Sequence, residues 1–394
     1  MTTDPIVIVG AARTALGSFQ GELSGMTGPQ LGAAAVRAAV EGAGVKGDDV
    51  DEALMGCVLP AGVGQAPARQ AVLGAGLPQS VPCSTVNKVC GSGMKTVMMA
   101  HDQIALGGAN IMVAGGMESM TNAPYMLPKA RGGFRLGHGE IKDHMFLDGL
   151  EDAYENKLMG TYAEATAQQY QFTREAQDAF AITSTMRAQA AQASDAFENE
   201  IVPVTVKTRK GENIVVADEQ PRTADTSKIP NLRPAFAKDG TVTAANSSSI
   251  SDGAAAVVLM RASEAERRGL TPRARIMGHA SHAHEPAWFT TAPVGAMEKL
   301  FEKTGWSKSD IDLFEINEAF AVVTMAAMKD LSLDHERVNV NGGACAIGHP
   351  IGCSGTRIIV TLLNALEKRG LSKGVASLCI GGGEATAVAI ERMA

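Results

Sequence analysis

Val86-Asn87-Lys88-Val89-Cys90-Gly91-Ser92-Gly93-Met94 closes an apolar stretch with a thiol set between small residues. It opens at once on an apolar helical pattern, Met94, Val97, Met98 and Ile104. Strand, tight turn and helix in that order put Cys90 at a helix N-terminus. The helix dipole and the unpaired N–H groups there favour the thiolate. Gly91 and Gly93 let a substrate carbonyl come close to the backbone. The competing reading is a small buried thiol with no chemistry.

Outward from this turn, strand and helix patterns alternate. Residues 6–9 read as a buried strand, 30–41 as an Ala/Val-rich helix stopped by Gly42-Ala43-Gly44, 52–58 as a strand and 66–73 as a helix. The helix after Cys90 runs to residue 106, and a strand over 110–114 ends at Gly115-Gly116. The last third repeats the plan: strand 312–315, helix 319–329, a strand-loop-helix beginning at 339–341 with its helix over 355–368, and strand 374–380 ending at Gly381-Gly382-Gly383. Such alternation indicates α/β layers with parallel strands. The repeated plan indicates an internal duplication, with two similar α/β units packed face to face. Between them, residues 117–246 are richer in charge, Gln and Pro, with one long helical stretch over 164–191 and an irregular segment over 213–238. A loop that long in a compact domain is usually functional.

Composition narrows the function. The 394 residues are 45% hydrophobic but only 4% aromatic, and 43 are Gly, so the core must be built by close packing of small side chains. A net charge of −7 with no basic run excludes a nucleic-acid binder. The six cysteines, at 57, 83, 90, 345, 353 and 379, show no C-x-x-C spacing and read as reduced thiols. The first residues run directly into a strand with no basic-apolar leader, and no apolar run reaches membrane-spanning length. A soluble, cytoplasmic protein is expected. Gly42-Ala43-Gly44-Val45-Lys46-Gly47 matches G-x-G-x-x-G but follows a helix, which rules out the dinucleotide context. His279, His282, His284 and Glu285 fit no metal-ligand spacing, so no metal is expected.

Three further segments share the character of the first. They are Glu315-Ile316-Asn317-Glu318-Ala319-Phe320, the run from Asn339 through Gly348-His349-Pro350 to Gly355, and Ser377-Leu378-Cys379-Ile380-Gly381-Gly382-Gly383-Glu384. Each sets a polar or nucleophilic side chain beside small residues at a strand end. Nucleophilic cysteine chemistry needs a base within reach, and His349 in its glycine-rich turn is the candidate. In their order and spacing the four motifs resemble the thiolase family, over residues 6–392.

The resemblance implies a thiolase fold: two duplicated α/β halves in a five-layer αβαβα arrangement with an inserted loop domain. Residues 1–118 and 249–271 would form the first half, 119–248 the loop domain, and 272–394 the second half. It implies reversible Claisen condensation of two acetyl-CoA to acetoacetyl-CoA and CoA, with CoA thioesters as substrates and no permanently bound cofactor. Cys90 resembles the acylated nucleophile, His349 its base and an enolate-oxygen donor, and Cys379 the acid/base for the α-proton. Asn317 resembles the residue holding a water in the enolate oxyanion hole, and the N–H groups of Cys90 and Gly381 the second oxyanion hole. Met159, Arg222, Ser227, Ala244, Ser248, Ala319 and Phe320 match CoA contacts, and Phe289 matches the position facing the acyl group. Leu158-Met159-Gly160 stands where many thiolases have His-Met-Gly, and serines at 247–251 also depart from the usual pattern. Residues 126–148 resemble the hairpin that builds a homotetramer. The alternative within the family is a broad-chain 3-ketoacyl-CoA thiolase. A non-catalytic relative would lack Cys90, His349 or Cys379, and a ketoacyl synthase would lack the second Cys before Gly-Gly-Gly.

Overall fold

The computed structural model describes residues 4–209 and 211–393. The first strand, β1 (Ile6–Thr14), is buried along its whole length. Helix α1 (Gly28–Ala43) starts at a capping box between Thr27 and Gln30 and stops at Gly44 in the left-handed conformation. There follow β2 (Glu52–Gly56), α2 (Pro67–Gly74), β3 (Cys83–Val86), α3 (Ser92–Ala105) and β4 (Ile111–Ser119). Helices α4 (Met159–Tyr170) and α5 (Arg174–Ala193) occupy the middle of the chain. Strand β5 (Ser251–Arg261) returns to the first sheet. The remainder is β6 (Ala274–Ala283), α6 (Ala292–Thr304), β7 (Leu313–Ile316), α7 (Ala321–Leu331), α8 (Ser354–Arg369), β8 (Lys373–Ile380) and β9 (Glu384–Arg392).

The duplication is written in the strand order. The first half runs β1-β5-β4-β2-β3 and the second β6-β9-β8-β7. In each, the leading strand pairs antiparallel with the last, the last pairs antiparallel with the strand before it, and the next pairing is parallel. The two sheets also meet edge to edge, through Val7 with Arg275 and Ile8 with Ala274.

Period-two alternation sorts the strand residues into layers. Val7, Val9, Ala254 and Ala256 face α1 and α2 in one apolar cluster. Ile6, Ile8, Ala255 and Val257 face the opposite way, into a cluster with α3 and α8 that also takes Leu378 and Ile390 of the second sheet. The outer face of that second sheet packs Val375, Ala387 and Ala389 against α6 and Ala327 of α7. Helices, sheet, helices, sheet and helices follow in turn. Sheets buried on both faces read as continuous apolar runs, which is why β1, β4 and β5 carry so few polar residues.

Three expectations need correcting. The strand at 339–341 does not form. Val338 makes only an isolated bridge to Phe314, and Asn339 turns left-handed at φ 49. Its side chain does the pairing instead: the Ile316 N–H donates to Asn339 Oδ1 and Asn339 Nδ2 donates to Ile316 O, both at 2.8 Å. The single helix expected over 164–191 is two, broken where Gln171 adopts φ 58 and Thr173 caps α5. The irregular stretch at 213–238 begins inside a strand, Gly211–Val215, paired with Val204–Thr208.

Candidate active site

The turn before α3 is held by its own side chains. Val89 stands at φ 46, a conformation a β-branched residue keeps only under constraint. The Val89 N–H donates to Asn87 Oδ1 at 2.9 Å, the Ser92 hydroxyl donates to Val89 O at 2.6 Å, and the Lys88 N–H donates to Ser92 Oγ at 2.8 Å. Lys88 is also ion-paired to Glu384 beyond the Gly381–Gly383 turn. This bends the chain from β3 into α3 and leaves Cys90 half-buried at a cavity wall.

The flanking glycines do a different job from the one expected. A side chain at Gly91 would meet Ile380 Cδ1 at 2.3 Å, and one at Gly93 would meet Thr356 Oγ1 at 2.8 Å and Gly352 O at 3.0 Å. They let protein approach protein, not substrate approach backbone. The expected thiolate is corrected as well. Burial pushes the Cys90 thiol up to about 11, against the opposing pull of the Gly381 N–H and its own N–H. Loss of hydration outweighs those two N–H groups, so the resting nucleophile is a thiol.

His349 is buried between the two halves. Its neighbour Ser354 has one hydroxyl proton, which goes to Pro350 O at 3.0 Å, so Ser354 Oγ accepts from His349 Nδ1–H at 2.6 Å. That leaves the Nε2 lone pair free, 3.5 Å from Asn317 Nδ2. Burial, and then the nearby Arg357 guanidinium, push the imidazole down to about 3, so it is neutral. Asn317 is fully buried behind it, with its N–H on Ser377 O at 3.0 Å.

Cys379 is the penultimate residue of β8, fully buried in an apolar cluster with Met159, Phe289, Ala319 and Phe320. It lies behind the cavity wall. Burial, and then the proximity of Cys90, raise its own ionisation far above the ordinary thiol range. The cavity is about 370 Å³ and takes Cys90, His349 and Gly381 on its wall. Met159, Ala244, Ser248, Ala319, Phe320 and Phe289 line it too. Phe289 is fixed edge-to-face against Tyr162 and Phe320, at 6.5 and 6.4 Å between centroids. Leu158 adds another apolar surface. Arg222 and Ser227 are not on this wall. Arg222 is exposed and bound to Glu22 at 2.5 Å, and the Ser227 hydroxyl donates to Asp225 Oδ1 at 2.6 Å.

Sequence reasoning missed three groups. Ser354 orients the candidate base. Glu118, on β4, accepts from the N–H groups of Val58, Leu59 and Gly352 at 2.9, 3.1 and 2.9 Å, tying together the loops around Cys90. Arg357 donates to Asn317 Oδ1 at 3.4 Å. The last two were detectable as charges inside apolar runs, and Ser354 as a hydroxyl in the same turn as His349. Of the remaining thiols, Cys57, Cys345 and Cys353 are buried and, like Cys83, raised by burial, which suits inert core residues. Far along α3, the His101 ring and, from β6, the His279 ring donate to Asp102 Oδ1 at 3.0 and 2.8 Å.

Taken together, a neutral thiol, a neutral imidazole, a protonated second thiol and two N–H groups at the first thiol can carry acyl transfer. Residues 6–263 match the thiolase N-terminal domain and residues 270–392 the thiolase C-terminal domain. The acetyl-CoA acetyltransferase of Allochromatium vinosum is 50% identical over 98% of this chain and 99% of its own. That of Cupriavidus necator is 51% identical, over 98% and 99%. The crystal structure of the Bacillus anthracis acetyl-CoA acetyltransferase superposes with a TM-score of 0.97 at 43% identity, covering 99% of both chains. A thiolase from Ascaris suum in complex with coenzyme A gives 0.94 at 41%, covering 99% of this chain and 100% of its own. Among the described residues, no helix is long and apolar enough to cross a membrane.

Proposed function

The chain belongs to the thiolase family, and on that premise we propose that it is an acetyl-CoA C-acetyltransferase working through an acetyl-Cys90 intermediate. The observation that carries the reading is the convergence of Cys90, His349 and the Gly381 N–H on one apolar cavity.

The protonation states set the order of events. Cys90 and His349 are both neutral at rest, so the thiol proton passes to His349 Nε2 as the sulfur attacks the acetyl carbonyl. The N–H groups of Cys90 and Gly381 take the tetrahedral oxyanion. Cys379 is held protonated by burial, so it acts first as an acid and gives its proton to the departing CoA sulfur. The thiolate left behind removes the α-proton of a second acetyl-CoA. His349, now carrying the proton from Cys90, and the water-holding Asn317 stabilise the enolate oxygen. Its α-carbon attacks acetyl-Cys90, acetoacetyl-CoA forms, and the released Cys90 sulfur takes its proton back from His349. Two acetyl-CoA give acetoacetyl-CoA and CoA, with every proton accounted for.

The cavity of about 370 Å³, with Phe289 on its wall, suits a short acyl group and part of the pantetheine arm. Arg222 and Ser227 are kept as contacts for the part of CoA outside it. We divide the chain into residues 1–118 with 249–271, a loop domain over 119–248, and 272–394. Exposed Leu136 and Ile141, at 95% and 66%, support a role for the 126–148 segment in a homotetramer. We place the enzyme in the cytoplasm, with no metal and no nucleic-acid partner. The test compares thiolysis of acetoacetyl-CoA, 2-methylacetoacetyl-CoA and 3-ketohexadecanoyl-CoA. The C4 substrate should be fastest, and the branched one should react measurably. A C16 rate equal to or above the C4 rate would replace this reading with a broad-chain thiolase.

A further inference from the structure

We propose that Arg357 is a positioning residue for the condensation step, holding the Asn317 amide with Oδ1 turned inward and Nδ2 turned toward His349. The proposal rests on the role given to Asn317 above.

Arg357 lies on α8 among Ile358, Ile359, Val360 and Leu362, and is 0% exposed. A guanidinium is almost never buried that completely unless it is well paired. Here the pairing is thin. Glu315 Oε2 is 3.6 Å from Nη1, while Nε and Nη1 have no hydrogen-bond partner and neither does Glu315 Oε1. Burial pushes the Glu315 carboxyl up to about 8, which further weakens the ion pair near neutrality. An arrangement of this kind contributes little to stability. What the guanidinium does have is Asn317 Oδ1, at 3.4 Å from Nη2.

An amide side chain can sit either way round, and its neighbours decide which. Among the described residues the Asn317 side chain has two hydrogen-bond contacts, Arg357 Nη2 and His349 Nε2. In the resting enzyme, before it takes the Cys90 proton, His349 Nε2 is an acceptor, because Nδ1 carries the proton into Ser354. With Nδ2 toward His349, both contacts pair a donor with an acceptor. Flipped, Oδ1 would face the Nε2 lone pair and Nδ2 would face the guanidinium N–H groups, so both contacts would repel. Arginine cannot lose its proton in a protein, so its hold on Oδ1 persists when His349 takes the Cys90 proton and Nε2 stops accepting. At rest the result is a directed chain of donors from Arg357 through Asn317 to the base, each bond polarising the next.

The test uses the full-length enzyme and two half-reactions. Acetyl transfer from acetyl-CoA to Cys90 is followed by mass spectrometry, and α-proton exchange of acetyl-CoA in deuterated water by NMR. Arg357→Met is made together with Glu315→Gln, so that no lone carboxylate is left buried. Acylation should stay within ~3-fold of wild type, while exchange and condensation fall at least ~10-fold, short of the ~10²–10³-fold of losing an oxyanion-hole donor because Asn317 is loosened and not removed. Arg357→Lys, which keeps the charge but not the planar fork, should lie between. If the double variant does not fold, Arg357→Lys carries the test by the same split. Wild-type exchange in a folded variant, or an equal loss in both half-reactions, overturns the proposal. Asn317→Ala separates the two levels. If it leaves exchange intact, the role of Asn317 is wrong. If it slows exchange while the Arg357 variants do not, only the present inference fails.

Discussion

Replacing Ser354 by Ala removes one oxygen, and its effect can be worked out from two distances. Ser354 Oγ accepts His349 Nδ1–H at 2.6 Å and donates to Pro350 O at 3.0 Å. Both partners are buried, so no water replaces the lost oxygen cheaply. A buried donor left unpaired costs ~1–3 kcal/mol. The imidazole can avoid that cost by moving its proton to Nε2, which then has no lone pair for the Cys90 proton. Either route raises the barrier to acylation by the same order. At ~1.36 kcal/mol per factor of ten, acylation should slow by ~5- to 150-fold. Stability should fall by no more than ~3 kcal/mol, because the cavity left is smaller than a methyl group. The assay is rapid-quench acetylation of Cys90, read beside a thermal melt. A folded Ser354→Ala enzyme that acetylates at the wild-type rate would refute the tautomer argument, and with it the assignment of Nε2 as the base.

Cys379→Ala should still accept acetyl on Cys90 but lose α-proton exchange, with turnover down at least ~10²-fold; acetyl found on Cys379 of the wild type would reverse the two roles. Because burial holds the Cys90 thiol near about 11, only its rare thiolate reacts with iodoacetamide, and the labelling rate of the free enzyme should climb steadily with pH through the neutral range. A plateau near neutrality would show a thiolate already formed at rest. Gly116→Ala would put a Cβ 2.0 Å from Gly352 O and 3.0 Å from Gly93 Cα, both backbone. It should cost ~1–3 kcal/mol or more and lower the melting temperature, and an unchanged melt would mean the loop before α8 yields freely. Light scattering should give four times the chain mass, and removing residues 127–141 should give dimers; a stable wild-type dimer would reject the proposed hairpin role.

Much of the fold was legible because the signals are local. Apolar runs bounded by Gly and Pro mark β1, β4 and β8, and the small residues around Cys90 and Gly381 mark strand ends open to a cavity. The breaks that were missed lie where a side chain overrides the pattern. Asn339 pairs with Ile316 through its amide in place of a strand, and Gln171 turns left-handed inside what reads as one helix.

The candidate site divides the same way. Which residues could act was readable from residue type and neighbours along the chain. What state they are in was not. Cys90 sits where sequence position favours a thiolate, yet packing strips its hydration and leaves it a thiol. Arg222 and Ser227 match by position, yet each is bound to a surface carboxylate away from the cavity wall. Ser354, Glu118 and Arg357 acquire their meaning only from partners that the fold brings to them, Glu118 from residues as distant as Gly352. Sequence determines the periodicity and the chemistry of each side chain, because both are properties of short segments. Ionisation, tautomer and amide orientation depend on desolvation and on the nearest donor or acceptor, and those are set only when the two halves close on each other.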